Sequence, residues 1–270
     1  MRHVLSLPVA SSSIPIGSLH RALLPVPSRD PAVALRTDLK KLPRRCRYAR
    51  VEKQAPTLGR CEAEEGMRMS ARFVYWMNVS LDLFIERDPG DHGGLGGPDW
   101  VRIDEPLHRE FNARARAMSM LVEGRTIYEM MDPFWPNARG DASLPDFMRE
   151  FGEIWTSTPK VLVSRTRTTA EHNTRILGGD DAIAELAALR RDADGDIGVG
   201  GATLATQLLA SRLLDELLLF THPAVLGAGR PLFDSLDRGE LAWPLQLDLL
   251  EHKSFDNGVT MHRYAFRGVR

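Results

Sequence analysis

The sequence predicts an α/β domain over residues 69–270: a mostly parallel mixed sheet, covered by helices on both faces and closed by a C-terminal antiparallel hairpin. Three observations predict it. Short apolar, β-branched runs alternate with segments of helical period. Two strand-like runs pass into helices through glycine. The chain ends in two strand-like segments separated by Asp256-Asn257-Gly258, whose Asn-Gly pair suits a tight reversal.

The pattern begins at Arg72 with FVYWMNVSLDLFIE, rich in aromatic and β-branched residues, which reads as one buried first strand. The run GGLGGP follows as a loop. In EPLHREFNARARAMSM, Leu107, Phe111, Ala115 and Met118 fall on one helix face. MLVEG reads as a short strand entering a helix at TIYEMM, and Ser143 is placed to cap a helix through LPDFMREFGEIW. The second half repeats the alternation. PKVLVSR is a strand, Asp180 can cap AIAELAALRR, DIGVGG is a strand, and ATLATQLLASR is the helix that starts at once behind it. DELLLFTHP is the next strand, and LQLDLLEHKSF with VTMHRYAF forms the hairpin.

Residues 1–68 have a different character. Through residue 66 they hold 12 Lys and Arg against 6 Asp and Glu, with 7 of the 17 prolines and no sustained period. Such composition predicts a disordered extension. The acid-free stretch up to Arg29 has the makeup of an organellar transit peptide, whereas a secretory signal fits worse because serines and prolines break its apolar run. A third reading starts translation at Met67 or Met69, just ahead of the first strand.

The formal net charge of −1 gives no global reason to expect nucleic acid or an anionic membrane as partner, and no uncharged apolar stretch reaches the length of a spanning helix. Both cysteines, Cys46 and Cys61, lie in the extension, so the domain has no disulfide or thiolate chemistry, which fits a reducing cytoplasm. The histidines are scattered without ligand spacing, and no metal site is expected. Gly93 to Gly97 imitates a dinucleotide fingerprint, but Pro98 follows instead of a helix, so a mobile loop is the better reading. The basic run Lys40 to Arg50 is read as a solvated tail.

Three junctions carry the candidate chemistry. At Gly200-Gly201 a strand meets a helix start, where free N–H groups and the helix dipole favour a phosphate, although a tight turn without a ligand would look the same. Gly124-Arg125-Thr126 adds a second glycine turn and a guanidinium. Val163-Ser164-Arg165 ends another strand, at the side of an α/β sheet where ligands bind. Together they suit a ligand with several phosphates, such as a dinucleotide bearing a 2′-phosphate. The alternative is surface arginines on solvated loops.

These residues also carry a resemblance. Gly124-Arg125-Thr126-Ile127-Tyr128-Glu129 resembles the Gly-Arg-x-Thr-Tyr/Trp-Glu segment of dihydrofolate reductases, and Val163-Ser164-Arg165 and GVGGATL resemble their strand ends. SLDLFIE and DELLLFTHPAVLGAGRPLF are closer still to the reductase domain of bacterial riboflavin biosynthesis and its stand-alone relatives. The resemblance implies a dihydrofolate-reductase-like three-layer α/β/α fold, NADPH as hydride donor to a small heterocyclic or carbonyl-bearing acceptor, and a homodimer. By position, Gly124, Arg125 and Thr126 would meet phosphates, and Ser164 and Arg165 the 2′-phosphate. Gly200, Gly201, Ala202, Thr203 and Leu204 would meet the pyrophosphate and adjoining ribose. Ile127 departs from the pattern, replacing a threonine whose hydroxyl helps bind phosphate.

Hydride transfer needs positioning and electrostatics more than a nucleophile. Asp82, in the SLD segment, is the catalytic candidate; the alternative is a strand-end carboxylate capping nearby amides. Trp76 is placed to wall a ring-binding site, or else is core. The acid that holds the pterin in dihydrofolate reductases would fall near His108, with Asp104 and Glu105 one turn earlier, so Asp104 and His108 join the substrate-binding candidates and the match to true dihydrofolate reduction breaks here.

Overall fold

The computed structural model describes residues 71–88, 100–234, 236, 241 and 243–268. The expectations for residues 1–68, for both cysteines, and for the glycine loop at 93–98 lie outside the described residues.

In chain order the elements are β1 (Phe73–Val79), β2 (Phe84–Glu86), α1 (Glu105–Ala117), β3 (Met120–Gly124), α2 (Arg125–Met131), α3 (Trp135–Ala138), α4 (Asp146–Ser157) and β4 (Lys160–Val163). They continue with β5 (Thr174–Leu177), α5 (Ala182–Asp192), β6 (Ile197–Gly200), α6 (Ala202–Ala210), β7 (Leu214–Thr221), β8 (Arg230–Pro231), β9 (Leu247–Ser254) and β10 (Thr260–Phe266). Eight strands form one sheet in the order β5-β4-β3-β6-β1-β7-β10-β9. β5 through β7 run parallel, and the β9–β10 hairpin joins antiparallel to β7.

Strand alternation divides the interior into two layers. Phe73 and Tyr75 face one side with Val122, Val199 and Leu217, where α5 and α6 supply Leu186, Leu204 and Leu208. Val74, between them, faces the other side with Leu162, Leu218 and Phe220, where α1, α3 and α4 supply Phe111, Trp135 and Trp155. The expected three-layer arrangement is therefore present. At the amino-terminal strand edge, four charged side chains lock β1, β6, β7 and β10 together. Arg72 reaches Asp196 and Glu216, each at 2.7 Å, while Arg263 reaches Asp196 at 2.7 Å and Glu216 at 2.5 Å.

Several local expectations are corrected. The first strand is not continuous to Glu86, because Ser80 to Leu83 turn, with Leu83 at φ 63°, and β2 pairs separately with β8. Ser143 does not cap α4; its hydroxyl donates to Asp141, and the helix starts behind Pro145, which cannot occupy a helix interior. The residue preceding α5 is Asp181 rather than Asp180, and it makes no side-chain capping bond. β5 and β8 went unrecognised because four-residue and two-residue edge segments carry almost no periodic signal.

Candidate functional site

The carboxyl ends of β4, β3 and β6 stand side by side. Register places Gly124 beside Val163 and Glu123 beside Gly200, so the three junctions singled out in the sequence converge on one sheet edge. Gly201 opens α6 at φ 108°, a conformation that a side chain would strain, and a Cβ there would lie 3.8 Å from the Gly124 backbone. The first helical bond of α6 runs from Ala205 N–H to Gly201 O at 3.0 Å. The N–H groups of Ala202, Thr203 and Leu204 therefore have no carbonyl partner within the helix and are available to an anion. Ala202 and Leu204 bury their side chains in the core, so they offer backbone only.

Ile127 packs on this turn. A Cβ at Gly200 would stand 3.1 Å from Ile127 Cγ2, so the isoleucine side chain lies directly against the glycine and leaves little room for a side chain there. Thr126, half-buried beside it, carries the neighbouring hydroxyl. Thr203 donates to Asp234 at 2.5 Å and accepts from Arg230 at 2.9 Å, tying the head of α6 to the Arg230–Asp234 ion pair. That ion pair holds the carboxylate of Asp234 below its ordinary range.

On the other flank, the buried Ser164 hydroxyl accepts the N–H groups of Thr166 and Arg167 at 3.2 and 3.0 Å, leaving its own O–H as a donor. Arg165 is exposed and has no ion pair among the described residues. Arg125 and Arg167 both approach Glu129, at 3.1 and 3.5 Å. Behind them, Gly178-Gly179 ends β5: a Cβ on Gly178 would meet Ser164 O at 2.8 Å, and Gly179 adopts φ 96° facing open space.

Sequence reasoning missed Arg167, Arg230, Asp234 and this fourth junction, the third to carry glycine. The Arg165-x-Arg167 spacing and the Gly178-Gly179 pair were visible signals; the convergence of Arg230 and Asp234 on Thr203 was not.

The substrate-side candidates do not gather in the same way. Asp82 turns its carboxylate onto backbone, accepting Leu226 N–H at 3.1 Å and Gly227 N–H at 2.8 Å, with the Ser80 hydroxyl at 2.6 Å. The Ser80 hydrogen bond foremost, then those amides, hold it down at about 2. Asp104 is the N-cap of α1, accepting Leu107 N–H at 3.1 Å. Trp76 packs edge-on against Phe111 and also meets Phe220.

His108 lies in the packed interior. It is 5% exposed, ringed by Phe111, Trp135, Phe147 and Phe151, and hydrogen-bonded through Nδ1 to Asn112 at 3.1 Å. Aromatic burial between α1, α3 and α4 claims the side chain, and that desolvation lowers its pKa.

The ends of β1 and β7 carry a different polar group. His222 Nδ1 accepts Arg102 N–H at 3.0 Å, which fixes the proton on Nε2 so that it donates to Asn78 Oδ1 at 3.1 Å. Burial, with the Arg102 charge second, pushes this ring down to about 4 and keeps it neutral. Trp100 packs edge-on against it, with its buried Nε1–H lacking an acceptor among the described residues. Among the described residues no group of three or more His, Cys, Asp or Glu could hold a metal ion, and no helix is long and apolar enough to cross a membrane.

The model of the RibD C-terminal domain family matches residues 73–261. Two proteins of Bacillus subtilis (strain 168) are similar over nearly their whole length. YyaP is 28% identical over 198 residues, covering 73% of this chain and 96% of its own, and YwjB is 25% identical over 199 residues, covering 72% and 98%. Among solved structures, form 1 of Acinetobacter baumannii RibD superposes with a TM-score of 0.50 at 16% identity, covering 73% of this chain and 58% of its own. A likeness at that identity shows the fold alone.

Proposed function

Because the chain belongs to the RibD C-terminal domain family, we propose that it is an NADPH-dependent reductase transferring hydride to a small heterocyclic or carbonyl-bearing acceptor. One observation carries the reading: adjacent ends of β4, β3 and β6 bring two glycine turns, an open helix start and three arginines onto one edge. Strand spacing makes that edge about 10 Å wide, the scale of a dinucleotide's phosphates.

In this reading the first-turn N–H groups of α6, behind Gly200 and Gly201, hold the pyrophosphate. Gly124 lets the chain approach, while Arg125 and Thr126 supply charge and a hydroxyl. The Ser164 O–H and Arg165 meet the 2′-phosphate, and guanidinium geometry favours a phosphomonoester over a ribose hydroxyl there. When bound, the cofactor supplies hydride from its nicotinamide. The protein's part is to orient that ring and exclude water at the ends of β1 and β7. The Trp100 Nε1–H, without an acceptor among the described residues, is a donor that a polar atom in that region could take. The family reading implies a homodimer acting on a small molecule, and the near-neutral charge and cysteine usage support a cytoplasmic protein without nucleic-acid or membrane partners.

The test is a calorimetric titration of the full chain with NADPH and with NADH, alongside Arg165→Ala. Tighter NADPH binding that largely vanishes in the variant supports the reading, and binding of neither nucleotide overturns it. A second reading, a nucleotide-binding module of this fold without turnover, is favoured by the commitment of Asp82 to backbone amides. NADPH binding with no cofactor oxidation across an acceptor screen would select it.

A further inference from the structure

We propose that Glu129 is a displaceable internal ligand of the phosphate edge: in the free protein its carboxylate occupies the guanidiniums of Arg125 and Arg167, which together with Arg165 take the 2′-phosphate of a nucleotide on binding. This rests on the nucleotide-binding reading above and adds a residue that sets how tightly the phosphate is held.

The geometry is that of one anion shared between two cations. Oε2 of Glu129 accepts from Arg125 Nη1 at 3.1 Å, and Oε1 lies 3.5 Å from Arg167 Nη1. Arg125 and Glu129 are neighbours one turn apart on α2, but Arg167 comes from a separate segment, the turn behind β4. Ser164 fixes that turn by accepting the Arg167 N–H, and the Arg167 guanidinium lies over the Tyr128 ring at 5.7 Å. Two elements thus deliver a cation each to separate oxygens of a single carboxylate, as separate arginines take separate oxygens of a phosphate.

Charge and exposure make the arrangement exchangeable. Glu129 balances only one of the two guanidiniums it meets, and the exposed Arg165 stands two residues from Arg167 in the chain, so the segment favours an anion such as a phosphomonoester, which carries about −1.5 to −2 at pH 7. The side chains of Arg125, Arg167 and Glu129 are 53%, 35% and 36% exposed, so water can replace either contact at little cost. A phosphate brings more charge and more acceptor oxygens than the carboxylate, and so displaces it. Glu129 lowers net affinity in doing so, because its pairs must be broken and its charge remains close to the incoming anion.

The experiment uses the full chain and the variants Glu129→Gln and Glu129→Ala, titrated with 2′,5′-ADP and with 5′-AMP at two salt concentrations. The expected result is 2′,5′-ADP binding about three- to tenfold tighter in both variants, the scale of releasing part-exposed ion pairs. Affinity for 5′-AMP should stay put, and the 2′,5′-ADP gain should shrink at high salt. Wild-type preference for 2′,5′-ADP that weakens in both variants would overturn the inference alone, making Glu129 a positioning residue. Equal tightening of both nucleotides would also overturn it. A wild-type protein indifferent to the 2′-phosphate would overturn the underlying reading and this inference together.

Discussion

Gly229 lies so close to Glu86 that a Cβ on it would stand 2.0 Å from the Glu86 carbonyl oxygen. The contact is where β8 meets β2, and Gly229 adopts φ 139°, so sterics and backbone conformation both demand glycine. Gly229→Ala must open that pairing and shift neighbouring Arg230. Thermal unfolding should register a loss of about 2 kcal/mol or more. An unchanged midpoint would show that the β2–β8 pairing contributes nothing to stability.

Asp82 is expected to act by holding the 224–227 segment. In Asp82→Ala, amide hydrogen exchange at Leu226 and Gly227 should accelerate about tenfold, the effect of losing one good hydrogen bond to a charged acceptor. With its pKa at about 2, no pH dependence from this group is expected above pH 4. Lost turnover with unaltered exchange at those two amides would instead assign Asp82 to the chemistry.

Glu123 gives a pH dependence of definite sign. Burial raises its carboxyl from an ordinary 4.5 to about 7, against the opposing Trp155 hydrogen bond and the nearby Lys160, with Asp132 adding to the rise. Between those values the folded chain retains a proton that the unfolded chain has lost, so stability falls as pH climbs from about 4.5 to 7. Lys160, lowered by burial from 10.5 to about 8, acts oppositely, and its contribution recovers as pH rises from about 8. Glu123→Gln keeps an acceptor for Trp155 Nε1–H and removes the decline. Denaturant unfolding should find the variant more stable than wild type by on the order of 2 kcal/mol at pH 8 and nearly equal at pH 4. An equal difference at both pH values would exclude Glu123 as the titrating group.

His108→Ala tests the packing role of a side chain first read as substrate-binding. It empties a site among four aromatic rings and leaves Asn112 Oδ1 without its partner, at a cost of about 2–4 kcal/mol. Nucleotide affinity measured well below the unfolding temperature should be unchanged. A stable variant with impaired substrate or cofactor binding would return His108 to the site.

Much of the domain was legible because long apolar runs such as DELLLFT and the helical stripe Leu107, Phe111, Ala115 have few other ways to bury themselves. The Gly124 and Gly200 junctions were legible because glycine there marks a strand passing into a helix, and Ser164 because it ends an apolar strand-like run. The Ser80 to Leu83 turn was hidden inside an apparently continuous strand. The local Ser80 hydroxyl holds the Asp82 carboxylate, but its bonds to the Leu226 and Gly227 amides, 144 and 145 residues away, could not be read from the local sequence.

The sequence by itself determined the alternation of strands and helices, the closing hairpin and the positions where the backbone turns on glycine, because these follow from side-chain periodicity and local φ/ψ freedom. Tertiary structure decided which polar groups meet. Glu129 faces both Arg125 and Arg167, Thr203 joins Arg230 and Asp234, and His108 is sealed among aromatics, because strand order brings distant segments to one edge and burial then selects partners.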